Sequence, residues 1–135
     1  SKAITKYSIE LGKDKFILAG YSFGASIVPF IANRLPASLK PKFKTAASLS
    51  PDESADFEIH IADMLNFDGD HPYNVIAEFK KLKGTPSICI FGSGEGNEIS
   101  DRFRKAGIEV GIIPGNHHFN DDFQRIVKEV MSYSK

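Results

Sequence analysis

Residues 16–24 read Phe-Ile-Leu-Ala-Gly-Tyr-Ser-Phe-Gly, so an apolar run leads directly into the pattern Gly-x-Ser-x-Gly. An apolar helical pattern follows, carried by Ile27, Val28, Phe30 and Ile31. A strand, a tight turn and a helix in this order are the setting in which the pattern indicates a nucleophile elbow. We expect Gly20 and Gly24 to let the strand and helix backbones approach each other without a Cβ clash. The amino end of the helix would then face any oxyanion that forms beside Ser22.

The composition is that of a globular domain without a strong charge bias. The chain has 135 residues, of which 41% are hydrophobic, and its 17 basic and 17 acidic side chains cancel. This balance gives no electrostatic reason to expect nucleic acid as a partner. No apolar stretch approaches the ~20 residues that span a bilayer. The single cysteine, Cys89, lies in an apolar run and is expected to be a buried core residue.

Apolar segments with strand character alternate with segments of helical periodicity along the chain. The predicted strands are Lys15–Ala19, Lys44–Leu49, Ser87–Phe91 and Ile108–Ile113. The predicted helices cover 3–11, 23–33, 75–82, 99–106 and 121–133, whereas residues 55–65 fit either a strand or a helix. This alternation predicts one α/β domain over residues 1–135, with about four parallel strands flanked by helices in a three-layer sandwich.

Three chemically suitable residues each follow a different predicted strand. Ser22, Glu95 and His117 come in the order nucleophile, acid, base that hydrolases with a nucleophile elbow use. The carboxyl ends of parallel strands meet at one edge of a sheet, so these side chains should lie together. A histidine can take the proton of a serine hydroxyl when a carboxylate holds its ring in the right tautomer. The sequence therefore predicts a serine hydrolase, with the backbone amide of Phe23 as an oxyanion donor.

Several assignments stay open on the residues alone. His118 is an alternative base, and Glu98 and Asp101 are alternative acids. Residues 92–97 could instead cradle a phosphate, although they match neither common nucleotide-binding pattern. His60 is expected to be structural and His71 solvated. No histidine pair has zinc-site spacing, so neither a metal nor another cofactor is expected.

The chain resembles the VirJ/AcvB family of bacterial virulence proteins, within the α/β-hydrolase superfamily. The resemblance covers about residues 1–133 and is carried by the elbow, Pro29-Phe30, Asn33-Arg34-Leu35-Pro36, Ala55-Asp56-Phe57-Glu58-Ile59-His60 and Pro114-Gly115-Asn116-His117-His118-Phe119. It implies a periplasmic serine hydrolase acting on an ester, with aminoacylated phospholipid as a possible substrate. It also favours His117 as the base, two residues after the turn glycine.

The resemblance further implies that the chain corresponds to the C-terminal half of the superfamily's fold. The strand at 16–19 would then lie at an edge, to be covered by a preceding segment or by a second copy. Because the superfamily takes a further oxyanion donor from an upstream loop, weak activity is expected, since one such donor is worth roughly 10²–10³ in rate. The alternative function is a binding module in an envelope complex, with secretion-system proteins as possible partners.

Overall fold

The computed structural model describes residues 2–55, 73–82 and 84–134. Its strands are β1 (Phe16–Tyr21), β2 (Phe43–Leu49), β3 (Ser54–Ala55), β4 (Tyr73–Asn74), β5 (Ser87–Gly92) and β6 (Val110–Ile113). Its helices are α1 (Lys2–Leu11), α2 (Phe23–Asn33), α3 (Val75–Lys80), α4 (Glu98–Lys105) and α5 (Phe123–Tyr133). The main sheet has four parallel strands in the order β1-β2-β5-β6. The predicted α/β class, with four parallel strands flanked by helices, is confirmed.

Alternate residues of the central strands point to opposite faces of the sheet. Helices pack on both of these faces. Ala46, Cys89 and Phe91 pack with α2, α3 and α4 on one face. Ala47 and Ile90 pack on the other face, where α5 contributes Val130. Cys89 is fully buried, as its apolar setting predicts, and burial raises the pKa of its thiol well above the ordinary value. The three layers leave only the ends of the strands for polar chemistry.

The predicted element boundaries need small corrections. β1 continues through Gly20 and Tyr21, because both residues keep their backbone pairing with β2. β6 begins at Val110 rather than at residue 108. The last helix starts at Phe123 instead of residue 121, since residues 119–121 have positive φ and form a separate left-handed turn. Asp122 then caps α5 by accepting a hydrogen bond from the Arg125 amide.

Among the described residues, the main sheet ends at β1 on one side, which agrees with the predicted edge position of the elbow strand. The segment at 57–61, His60 and His71 lie outside the described residues. Within the described part of the chain, no helix has the length and apolar character needed to cross a membrane.

Candidate active site

The serine of the elbow lies at the sharp turn between β1 and α2. Ser22 has φ 53° and ψ −116°, a conformation that L side chains rarely adopt and that costs of order 1–3 kcal/mol. Its amide donates to the Leu49 carbonyl at 2.8 Å, and its carbonyl accepts from the Ala25 amide at 3.0 Å. The neighbouring strand and the first turn of α2 therefore hold the strained turn from both sides, at the carboxyl edge of the sheet.

The two elbow glycines have different roles, which corrects the expectation from the sequence. A Cβ on Gly20 would fall on the Gly24 carbonyl and within 2.8 Å of Val28 Cγ2, so this position has no room for a side chain. A Cβ on Gly24 would meet nothing within 4 Å. The close approach of strand and helix therefore requires glycine at position 20 only.

The three predicted residues form a continuous hydrogen-bonded cluster. His117 Nε2 lies 3.1 Å from Ser22 Oγ, and His117 Nδ1 lies 2.6 Å from Glu95 Oε1. Because a carboxylate only accepts, this geometry requires the proton on Nδ1 and leaves Nε2 to accept from the serine hydroxyl. We refer to Ser22, His117 and Glu95 as the Ser–His–Glu cluster.

The carboxylate of the cluster is held firmly at its second oxygen. Glu95 Oε2 accepts from the Gly92 amide at 2.6 Å and from Ser50 Oγ at 2.8 Å. The Glu95 side chain is 18% exposed, while that of His117 is 44% exposed. The Glu95 carboxylate is thus fixed and partly shielded, and the His117 ring remains accessible to solvent.

The turns that carry Glu95 and His117 contact each other directly. A Cβ on Gly92 would overlap the Asn116 carbonyl, so only glycine lets these backbones approach so closely. The Gly94 amide donates to the Gly115 carbonyl at 2.7 Å, and the Gly115 amide donates to Ser93 Oγ at 3.2 Å. Residues 92–94 therefore contact the histidine turn, which gives Gly92 and Gly94 a role other than phosphate binding.

The alternative acids and the alternative base lie in other contacts. His118 Nδ1 is 2.7 Å from the Tyr21 hydroxyl. Glu98 pairs with Arg102 at 2.6 Å, and Asp101 lies 3.4 Å from Arg104. The structure thus joins Glu95 and His117 to Ser22 and places the alternatives in surface pairs.

A cavity of about 490 Å³ opens beside the serine. Ser22, Glu95 and His117 all line it, as does Phe23, whose amide is the first of α2. The cavity is also lined by polar residues, Ser26, Ser50, Asp52 and Ser54, by apolar residues, Pro51, Phe91 and Ile99, and by Gly96. A small acyl group could therefore lie next to the hydroxyl and within reach of the α2 amino end.

No group of three or more His, Cys, Asp or Glu side chains within the described ranges is arranged to hold a metal ion.

Sequence reasoning missed Ser50, whose hydroxyl contacts Glu95. Its position was a usable signal, because Ser50 directly follows β2 at the same edge of the sheet. The contact itself depends on the positive φ of Ser50, which the sequence does not reveal.

The model of the family described as "Bacterial virulence protein (VirJ)" matches residues 1–135. The chain belongs to the VirJ family. No curated protein sequence matches it. The predicted relation to VirJ is thereby confirmed, over the whole length of the chain.

Solved structures place this VirJ family member in the α/β-hydrolase fold. The thioesterase domain from the curacin biosynthetic pathway superposes with a TM-score of 0.58 at 13% identity, covering 96% of this chain and 71% of that one. The esterase domain of a Rhodothermus marinus protein superposes with a TM-score of 0.61 at 17% identity, covering 96% and 63%. The chain thus spans about two thirds of these domains, and at such identities the likeness concerns the fold.

Proposed function

We propose that this chain is the catalytic portion of a serine hydrolase that cleaves an ester through an acyl-Ser22 intermediate. The observation that carries the proposal is the hydrogen-bonded Ser–His–Glu cluster, which joins Ser22 Oγ to His117 at 3.1 Å and His117 to Glu95 at 2.6 Å. Its chain order and its position at the elbow agree with hydrolases of this fold. The family match and the fold likeness support the same reading.

In the first half of the reaction, Ser22 Oγ attacks the ester carbonyl while His117 Nε2 takes the hydroxyl proton. The Glu95 carboxylate stabilises the imidazolium that results. Negative charge develops on the carbonyl oxygen, and the Phe23 amide at the amino end of α2 is the donor we assign to it. When the C–O bond breaks, His117 returns the proton to the leaving alcohol and the acyl group stays on Ser22.

In the second half, water replaces the alcohol. His117 Nε2 takes a proton from the water as its oxygen attacks the acyl carbonyl, and then returns that proton to Ser22 Oγ as the acid departs. The net reaction is ester plus water to carboxylic acid plus alcohol, with no external oxidant or cofactor in the balance. The partly exposed ring of His117 suits this step, because water must reach the same nitrogen.

For the substrate, we propose an ester whose acyl part is neutral or cationic. Among the described residues that line the cavity, two are carboxylates, Asp52 and Glu95, and none is Lys or Arg. An aminoacyl ester carries an ammonium group that suits this lining, so the aminoacylated phospholipid implied by the family resemblance is a specific candidate. A periplasmic location, also implied by the resemblance, belongs to the same proposal.

The test is Ser22-dependent hydrolysis of chromogenic esters. We expect turnover of a short acyl ester by the wild-type chain, loss of at least 10³-fold in Ser22→Ala, and a covalent acyl adduct visible by intact mass after rapid acid quench. Ser132→Ala removes an exposed hydroxyl on α5 and should match wild type. Equal hydrolysis by Ser22→Ala and wild type would contradict the proposal. An anionic acyl ester hydrolysed faster than its cationic counterpart would contradict the substrate class alone.

A second function, a binding module in an envelope complex, is favoured by the open side of β1. Tyr7 and Leu11 of α1 lie at an apolar groove beside this strand, together with Phe16 and Leu18. In that case Ser22→Ala would preserve the biological role of the protein, whereas the hydrolase proposal predicts that it abolishes the role.

A further inference from the structure

Ser50 combines a positive φ, a buried position and a side-chain contact with Glu95. Its φ is +53°, in the left-handed region that favours glycine, and it is only 5% exposed. Its hydroxyl donates to Glu95 Oε2 at 2.8 Å. A glycine would adopt this backbone conformation without strain. The serine hydroxyl therefore provides an interaction that glycine lacks. This interaction is the hydrogen bond to the Glu95 carboxylate, which in turn contacts His117.

The backbone around Ser50 links the elbow to the acid turn. Leu49, the preceding residue, accepts a hydrogen bond from the Ser22 amide at 2.8 Å. The Ser50 amide itself donates to the Ile90 carbonyl at 2.7 Å, on the strand that leads to Glu95. The dipeptide 49–50 thus contacts the nucleophile turn on one side and the acid strand on the other. Its backbone fixes the spacing, and its side chain acts on the carboxylate.

Donors contact both ends of the Glu95 carboxylate. Oε1 faces His117 Nδ1 at 2.6 Å, while Oε2 accepts from the Gly92 amide and from Ser50 Oγ. The Gly92 amide lies at the end of β5, the strand that leads into the Glu95 turn, so it ties the carboxylate to that strand. Ser50 directly follows β2, the neighbouring strand, so its hydroxyl ties the carboxylate to a second strand of the sheet. Without the Ser50 hydroxyl, Oε2 loses one of its two donors, and the carboxylate is freer to rotate away from the histidine ring.

We propose that Ser50 is a positioning residue: its hydroxyl holds the Glu95 carboxylate in the orientation that fixes the tautomer and direction of the His117 ring. The effect of Ser50 on turnover rests on the proposed hydrolase function. Its effect on the His117–Glu95 hydrogen bond can be measured without any substrate. The experiment below uses both readouts, so that the two proposals can fail separately.

The test compares Ser50→Ala and Ser50→Gly with wild type. Both remove the hydroxyl, but only glycine also relieves the positive φ. In wild type we expect a downfield His117 Nδ1 proton, protected by its 2.6 Å bond to Glu95, in spectra of the chain with ¹⁵N-labelled histidine. In both variants we expect this proton to exchange with water at least tenfold faster. Ser48→Ala is the matched control, because Ser48 lies on β2, two residues before Ser50, and its buried hydroxyl donates to the Ala25 carbonyl instead.

In turnover, we expect kcat for a chromogenic ester to fall about 10- to 100-fold in both variants, since a hydrogen bond to a charged group is worth one to two powers of ten. KM should change little. A purely structural role of Ser50 would not speed exchange of the His117 Nδ1 proton, which lies in the hydrogen bond to Glu95.

Two outcomes would overturn the assignment of Ser50. One is unchanged exchange of the His117 proton in both variants, and the other is wild-type exchange and turnover in Ser50→Gly alone, which would assign the effect to backbone strain. Faster exchange in both variants supports the assignment even if the wild-type chain hydrolyses no ester. That combination would contradict the proposed hydrolase function and leave the positioning role standing.

Discussion

Two glutamates in this molecule are surrounded by hydrogen-bond donors, yet the two arrangements serve different ends. Glu95 lies at the carboxyl edge of the sheet and accepts from a backbone amide, a serine hydroxyl and a histidine ring. Glu78 lies on α3 with its side chain 5% exposed, and it pairs with Arg34 at 2.6 Å and Lys81 at 2.8 Å. Asn33 adds a further donor to Glu78 at 3.1 Å.

The difference lies in what each carboxylate leaves accessible. The partners of Glu78 come from the carboxyl end of α2 and from the end of α3, so its contacts hold these helices together. The contacts of Glu95 end in a histidine that is 44% exposed and faces a serine hydroxyl. The fully hydrogen-bonded carboxylate of Glu78 thus holds two helices together, whereas that of Glu95 supports the serine–histidine pair of the proposed hydrolase. Stability and activity should respond separately to changes at the two positions.

The largest expected effect is at Glu95. Replacing a carboxylate that orients a catalytic histidine by an amide lowers kcat by up to about 10⁴-fold, because the amide can stabilise the wrong tautomer. We expect Glu95→Gln to lower kcat for a chromogenic ester by about 10³- to 10⁴-fold. The free energy of unfolding in urea should change by about 1 kcal/mol or less, since glutamine can keep some of the contacts. A loss below tenfold would remove Glu95 from the mechanism.

We expect an intermediate effect at Glu78, and we expect it in stability rather than in activity. Glu78→Gln leaves Arg34 and Lys81 without their shared carboxylate, so the free energy of unfolding should fall by about 2 kcal/mol. The kcat per folded molecule should stay within about twofold of wild type. Urea unfolding and an ester assay on the same sample measure both quantities. A tenfold loss of kcat without loss of stability would mean that the comparison of the two glutamates is wrong.

The Glu78 cluster should also make stability depend on pH. Burial acts to raise the pKa of Glu78, but hydrogen bonds from Lys81 and Arg34 outweigh it and hold the pKa below its ordinary value. A lowered folded-state pKa means that the stabilisation is fully present above the pKa of an unfolded glutamate, about 4.3. It is lost as the pH falls through the lower value in the folded protein. Stability curves of wild type and Glu78→Gln should therefore converge at acid pH.

The smallest expected effect concerns a polar group that lacks such partners. Thr45 on β2 is fully buried, and its Oγ1 has no hydrogen-bond partner among the residues that the structure describes. Thr45→Val should raise the free energy of unfolding by about 1 kcal/mol, because an unpaired buried hydroxyl costs about that much. The shift in the urea midpoint measures it. A decrease would show that this hydroxyl is paired in solution.

Most of the fold follows from the sequence, because the alternation of apolar strands and amphipathic helices is local information. The chain order of Ser22, Glu95 and His117, each after a strand, also predicts their meeting at one edge of the sheet. The choice between His117 and His118 depends on ring directions within one turn, which spacing alone does not provide. Ser50 and Gly92 were missed for a related reason, since their roles depend on a positive φ and on a close approach between two turns.

The central claim is that Ser22 is a nucleophile activated by His117 and Glu95. The most direct measurement is the reaction of the chain with a fluorophosphonate, followed by peptide mapping of the adduct and its rate of formation. We predict one adduct, on Ser22, that forms at least a hundredfold more slowly in Glu95→Gln and His117→Ala and at the wild-type rate in Glu78→Gln. An adduct on another serine, or equal labelling rates of Ser22 in all four proteins, would contradict the account.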